Sequence, residues 1–317
     1  MTKRQKAIAA VTTCVLFWGF SFISIKIAVA VFPPMVLGAI RFAIAVVFLF
    51  FVKKKNAPEE KLIKKDIPLL AGAGLTGVTF YFFCENNGVS LIPASEASII
   101  TAAIPVITLI TERTAEKIAS IKKKNNPRME YGNEKSSFAR KIILPGAGAL
   151  ISLTGVGLVA GVSFALSGTA RGYIFMAGAC CSWVIYCFLT KPLFTHRSRI
   201  YIVFWQSFIG FLGFLPFTFL DASRNLIHIP HLYVWGHILF LGIFCSALGY
   251  SFYARALQVL GAGTASLFLN FVPVVSAIGG FIILGERLRP LQIVGAVLVL
   301  SGVYLAMGIK NENDGAG

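Results

Sequence analysis

The run WGFSFISIK, residues 18–26, sets a tryptophan inside an apolar stretch and a lysine eight residues later. The same frame returns as WVIYCFLTK at 183–191, an offset of 165. Two more matches follow in order. ASEASIITAAIPVI (94–107) lies over AGTASLFLNFVPVV (262–275) at an offset of 168, aligning Pro105 with Pro273. GALISLTGVGLVAG (148–161) lies over GAVLVLSGVYLAMG (295–308) at an offset of 147, setting Gly148 on Gly295 and Gly155 on Gly302. Shared hydrophobicity does not produce three collinear matches, so the chain reads as two repeats, residues 1–165 and 166–317.

The composition says where those repeats sit. Of 317 residues, 56% are hydrophobic and 13% charged, with a mean hydropathy of +0.78. Soluble domains carry about 25% charged residues, and a helix crosses the roughly 30 Å hydrocarbon layer with about 20 apolar residues. Such stretches read at 7–29, 34–52, 67–88, 95–110, 142–162, 172–194, 200–220, 233–256, 264–284 and 290–309. The expected fold is therefore an all-α polytopic membrane protein of about ten transmembrane helices. The net charge of +16 is unevenly spread. Lys and Arg crowd the N-terminus and the loops 53–66, 111–141 and 191–199, whereas Arg171, Arg224, Arg287 and Arg289 stand alone in the alternate loops. This is the positive-inside pattern, and it predicts a multi-pass protein of the inner (plasma) membrane with both termini cytoplasmic.

Five helices per repeat is an odd number, so the second repeat enters from the opposite side. Inverted repeats support two near-equivalent packings, each open to one face, with substrate sites near the midplane. A transporter working by alternating access follows. The first half is longer between Pro105 and Gly148, where ERTAEKIASIKKKNNPRMEYGNEKSSFARK (112–141) replaces apolar sequence. The fourth helix accordingly reads as shortened, its cytoplasmic end given over to the basic segment 111–141. That segment keeps open a second reading, a transport-impaired remnant or scaffold.

Several blocks resemble the EamA-type members of the drug/metabolite transporter superfamily. They are WGFSFISIKIA, the Pro33-Pro34 pair with GAIRFAIAVVFL, PASEASIITAAIPV, and TASLFLNFVPVVSAIGGFIILGERLRPLQIVGAVLVLSGVYL. The resemblance spans essentially the whole chain except 111–141. It implies a ten-helix secondary carrier that exports a small organic metabolite, amino-acid-like compound or drug.

Polar residues inside the spans nominate the site. Trp18 and Trp183 fall near helix centres, away from the interface tryptophan prefers; they line a polar cavity or pack with their N–H groups on carbonyls. Arg41 lies about 10 Å into the second helix, where charge is costly and faces a cavity or partner. It would offer its charge to a substrate carboxylate or phosphate. Lys26, Glu85 and Glu96 share that outer end as coupling or gate residues, with snorkelling the alternative for Lys26 and helix capping for Glu96. Glu85 could pair with Lys26 or Arg41, or carry a proton. Pro105 and Pro273 are expected helix breaks that free a carbonyl. Asn270, one turn before Pro273, bonds substrate or a neighbouring helix.

Other motifs carry no chemistry. GAGLTG (72–77) fits a dinucleotide fingerprint, but no βαβ unit surrounds it. His228, His231 and His237 are split by Pro230, and the six cysteines lack metal-ligand spacing. No catalytic residue, metal site or cofactor is expected, and the intramembrane-enzyme alternative lacks an acid/base constellation. The expected partners are a small-molecule substrate and the lipid bilayer, with a homodimer as an option and no nucleic acid.

Overall fold

A computed structural model describes residues 1–91, 100–101, 103–124, 146–155, 157–158, 170–224, 231–284 and 290–308. They form ten helical stretches. α1 is Lys3–Val29, started by a capping box in which Thr2 Oγ1 accepts from Gln5 N and Gln5 Oε1 accepts from Thr2 N. α2, Pro34–Asn56, opens on proline, whose missing N–H costs nothing there, and ends on Lys53, Lys54 and Lys55, which favour a helix C-terminus. α3 is Lys64–Leu91, α4 Ile104–Lys124 and α5 Gly146–Gly155. α6 is Ala170–Thr190, α7 Arg199–Arg224 and α8 Leu232–Leu260. α9 runs as Ala262–Leu267, a 3₁₀ turn Phe268–Asn270, and Phe271–Leu284; α10 is Pro290–Gly308. Gly261, at φ 82°, turns α8 straight into α9, a conformation that suits glycine alone.

Six of these helices are long and apolar enough to cross a membrane, and shorter apolar helices accompany them at Gly146–Gly155, Ala262–Ser276 and Ile293–Gly302. Large apolar side chains stand outward, such as Phe51 at 64% and Ile174 at 72% exposure. In water that surface would drive aggregation; against lipid tails it is the matching solvent. The protein is an all-α polytopic membrane protein.

The expected shortening of the fourth helix needs correction. α4 does not stop near Ile110 but continues as helix to Lys124. Its sequence there, TERTAEKIASIKKK, is rich in Ala, Glu and Lys, strong helix formers whatever their polarity. Only the apolar part of the helix is short.

Without a hydrophobic drive between helices in lipid, close contact depends on small residues. α5 and α10 meet through glycines. A Cβ on Gly155 would lie 2.6 Å from the carbonyl oxygen of Gly295, and one on Gly302 would lie 2.5 Å from that of Gly148. Exchanging the matched glycines of the two halves turns the first contact into the second. The same holds elsewhere: a Cβ on Gly74 would sit 2.6 Å from the Gln206 carbonyl, and one on Gly242, 168 positions on, 3.1 Å from the Arg41 carbonyl.

At the basic-loop end, Asp66 is buried and accepts from Arg197 Nε at 2.6 Å, His196 Nε2 at 2.9 Å and Tyr201 Oη at 3.2 Å. The hydrogen bond from its guanidinium to the Asp66 carboxylate pushes the Arg197 pKa up. Glu60 accepts from Ser198 N and Oγ beside it. This staple joins the first turn of α3 and the loop before it to the first turn of α7 and the loop before that. Asp66→Ala is expected to destabilise the detergent-solubilised protein by about 1.5–3 kcal/mol, read as a lower thermal midpoint; an unchanged midpoint would show the staple to be idle.

Candidate functional site

A cavity of about 60 Å³ lies between the helices, lined among others by Trp18, Ser21, Arg41, Glu85, Trp183 and Tyr250. It has room for several waters. These residues come from α1, α2, α3, α6 and α8, with Leu269 and Val272 added from α9.

Its floor is aromatic. Trp18 and Trp183 meet edge-to-face at 5.4 Å and 83°, the arrangement ring quadrupoles favour. Tyr253 packs 5.5 Å from Trp18 and 5.2 Å from Trp183, and Tyr81 lies 5.0 Å from Trp183. Trp183 and Tyr253 are fully or almost fully buried. Trp18 Nε1 donates to the Cys245 carbonyl at 2.9 Å, and Trp183 Nε1 to Tyr253 Oη at 3.4 Å. Both tryptophans thus face the cavity while their N–H groups are satisfied by protein, that of Trp18 by a carbonyl and that of Trp183 by a hydroxyl.

Two π-helical segments shape the walls, Leu75–Phe80 in α3 and Phe240–Leu248 in α8. A π turn displaces carbonyls from the regular i→i−4 ladder and leaves them for other donors. The Gly77 carbonyl takes Tyr250 Oη at 2.6 Å, the Thr76 carbonyl takes Ser182 Oγ at 2.7 Å, and the Cys245 carbonyl takes Trp18. Beside Cys245, Ser246 Oγ accepts from Arg41 Nε.

Arg41 is 3% exposed, its guanidinium 4.4 Å from the Phe82 ring centroid, a cation–π contact that helps hold charge away from water. Glu85 is 6% exposed, and its Oε1 accepts from Tyr81 Oη at 2.9 Å. Among the described residues, the cavity is thus lined by one buried cation and one buried acid. No ion pair of 4.0 Å or less joins Arg41 to Glu85 among the described residues.

The remaining sequence candidates divide. Asn270 is not among the cavity-lining residues: it is fully buried, and its Nδ2 donates to Ser152 Oγ at 2.8 Å, an interhelical bond between α9 and α5. Pro105 and Pro273 are the second and third residues of the helical stretches Ile104–Lys124 and Phe271–Leu284, first-turn positions where no backbone donor is lost. Glu96 and the side chain of Lys26 lie outside the described residues. His237 Nδ1 sits 3.1 Å from Ser24 Oγ, and His231 stacks on Tyr233 instead.

Sequence reasoning passed over Tyr81, Ser21, Tyr250 and Tyr253, whose hydroxyls only become meaningful once the helices are rotated into place. It also passed over Glu112. That residue, second in the charged stretch after Ile110, accepts from Lys191 Nζ at 3.2 Å and from Gly263 N at 3.0 Å. It ties α4 to the end of α6 and the start of α9, below the aromatic floor. A carboxylate there meets free N–H groups and the positive end of the helix dipole.

The EamA-like transporter family model matches residues 5–119 and 170–308. The chain belongs to that family. A transporter of Archaeoglobus fulgidus is 29% identical to it over 92% of this chain and 95% of its own. A probable terminal-alkyne amino-acid exporter of Streptantibioticus cattleyicolor is 25% identical over 96% and 94%. A probable amino-acid metabolite efflux pump of Escherichia coli is 24% identical over 92% and 91%. A solved crystal structure shares the fold with a TM-score of 0.73 at 16% identity, over 98% of this chain and 99% of that one. The EamA-like protein described here is a membrane transporter.

Proposed function

We propose that this EamA-like carrier exports an amino-acid-like solute by alternating access, the solute binding in the Trp18–Trp183 cavity. The observation that carries the reading is a buried cation and a buried acid on one small cavity above an aromatic floor. A zwitterion answers both. Its carboxylate would take the terminal guanidinium nitrogens of Arg41, whose Nε is already engaged by Ser246. Its ammonium group would take the Glu85 carboxylate, and its side chain would lie on Trp18, Trp183 and Tyr250. Outward transport and the amino-acid class are supported by two relatives, the probable amino-acid exporter of Streptantibioticus cattleyicolor and the probable amino-acid metabolite efflux pump of Escherichia coli. The basic loops support cytoplasmic termini in a plasma membrane, and the exchangeable glycine contacts support two inverted five-helix repeats. Against the remnant reading stands the start of the charged stretch, where α4 continues as helix to Lys124 and Glu112 is engaged.

The test is flux in proteoliposomes against a panel of amino acids, nucleosides and cationic drugs. At least one amino acid is expected to be carried. Trp18→Ala and Trp183→Ala should each lower that flux about tenfold at equal reconstitution, the loss of an aromatic contact with the solute. Flux of the panel that is nil, or indifferent to both substitutions, would overturn the reading.

A further inference from the structure

Gln206 is fully buried in α7, and its Oε1 has no hydrogen-bond partner among the described residues; Nε2 alone is used, donating to Tyr186 Oη at 3.2 Å. Thr190, fully buried at the end of α6, lies beside the same Tyr186 hydroxyl. Buried polar atoms are nearly always satisfied, so each such exception calls for an explanation.

The repeat supplies one. The offset of 165 that carries Trp18 onto Trp183 carries Arg41 onto Gln206, Phe22 onto Cys187 and Ile25 onto Thr190. Trp18, Phe22, Ile25 and Arg41 all line the cavity. The correspondence is geometric as well as alphabetic, because the Arg41 and Gln206 carbonyls sit against the matched glycines Gly242 and Gly74.

The pairings around the floor are unequal. The matched carbonyls of Cys245 and Gly77 both accept an aromatic donor, but Cys245 takes Trp18 whereas Gly77 takes Tyr250. Trp183 donates instead to Tyr253, whose match in the first half is Glu85. The two halves therefore hold the same parts in different arrangements. Exchanging the arrangements places Trp183 on the Gly77 carbonyl and Trp18 on Glu85, and it opens the space around Gln206.

Resting on the transport reading above, we propose that Gln206 is the solute-facing polar residue of a counterpart cavity, closed in this conformation, that opens at the basic-loop end. Thr190, Cys187 and Tyr186 line it with Gln206, whose unpartnered Oε1 is the group that water or solute would meet. Glu112, bridging Lys191 and Gly263 at that end, closes it here. The two cavities differ in one respect that matters for specificity. Arg41 offers a charge to a carboxylate; Gln206 offers only a neutral amide. The solute's anionic group is held by charge on one side of the floor alone.

The test needs no identified solute. Oriented proteoliposomes, their orientation read by proteolysis of the 191–198 loop, are treated with the impermeant cation 2-(trimethylammonium)ethyl methanethiosulfonate on one face at a time. Adducts are mapped by mass spectrometry. The native Cys187 and a Gln206→Cys variant are expected to react at least tenfold faster from the basic-loop face, and Ser21→Cys at least tenfold faster from the opposite face. Reaction of Ser21→Cys from its face with Cys187 unreactive, or reactive equally from both, would overturn the counterpart cavity while sparing the transport reading. Reaction of Cys187 without Gln206→Cys would remove Gln206 from its wall. An unreactive Ser21→Cys would instead count against access to the Trp18–Trp183 cavity, and with it the transport reading on which this proposal rests.

Discussion

Replacing Arg41 with glutamine is expected to lower transport of a zwitterionic amino acid roughly ten- to hundredfold, the equivalent of about 1.5–3 kcal/mol for a lost hydrogen bond to a charged group. The reason is local. Arg41 is anchored by Nε on Ser246 and by its guanidinium on Phe82, so its terminal nitrogens are held in place before a solute arrives. Lysine keeps the charge but has neither the planar fork nor the ring contact, so Arg41→Lys should recover part of the activity at most. A crossed comparison separates recognition from simple damage. The wild-type carrier should prefer an amino acid over its amide, which lacks the carboxylate, and over its N-acetyl derivative, which lacks the ammonium group. Arg41→Gln should erase the first preference and spare the second; Glu85→Gln should do the reverse. Loss of both preferences in either variant, or of neither, would mean that these residues hold the helices together without touching the solute.

Introducing leucine at Gly302 is the second change with a large expected effect, this time on stability. The new Cβ would begin 2.5 Å from the Gly148 carbonyl oxygen and 2.6 Å from Ser152 N. Both are backbone atoms, which cannot rotate aside, so α5 and α10 would have to separate along their crossing. Overpacking of this kind costs about 1–3 kcal/mol, and here it also removes the close approach on which helix pairing in lipid depends. Gly157→Leu is the built-in comparison, since a Cβ there meets no described residue within 4 Å. Thermal unfolding in detergent should show a clear fall for Gly302→Leu and almost none for Gly157→Leu. Equal midpoints would mean that the α5–α10 contact contributes little.

Much of the architecture was legible because it depends on quantities that run along the chain. Length of apolar sequence decides whether a helix can span a bilayer. A Trp-to-Lys frame repeated after 165 residues, and glycines repeated after 147, reveal duplication without any knowledge of contacts. The fourth helix shows the limit of that approach: polarity marked where the membrane-compatible stretch ends, but helix propensity carried the backbone on to Lys124.

The sequence by itself determined that this chain is a polytopic helical membrane protein built from repeats, and it singled out Trp18, Trp183, Arg41 and Glu85. Only the tertiary structure decided which of its polar residues share a space. Arg41 meets Ser246 across 205 positions, Asn270 turns to Ser152, and Gln206 is left with an unsatisfied oxygen. The reason is rotational. Each residue turns a helix by about 100°, and helices apolar on every side give no stripe to fix which face looks inward. Packing of glycines against backbone, together with the π segments of α3 and α8, sets that rotation.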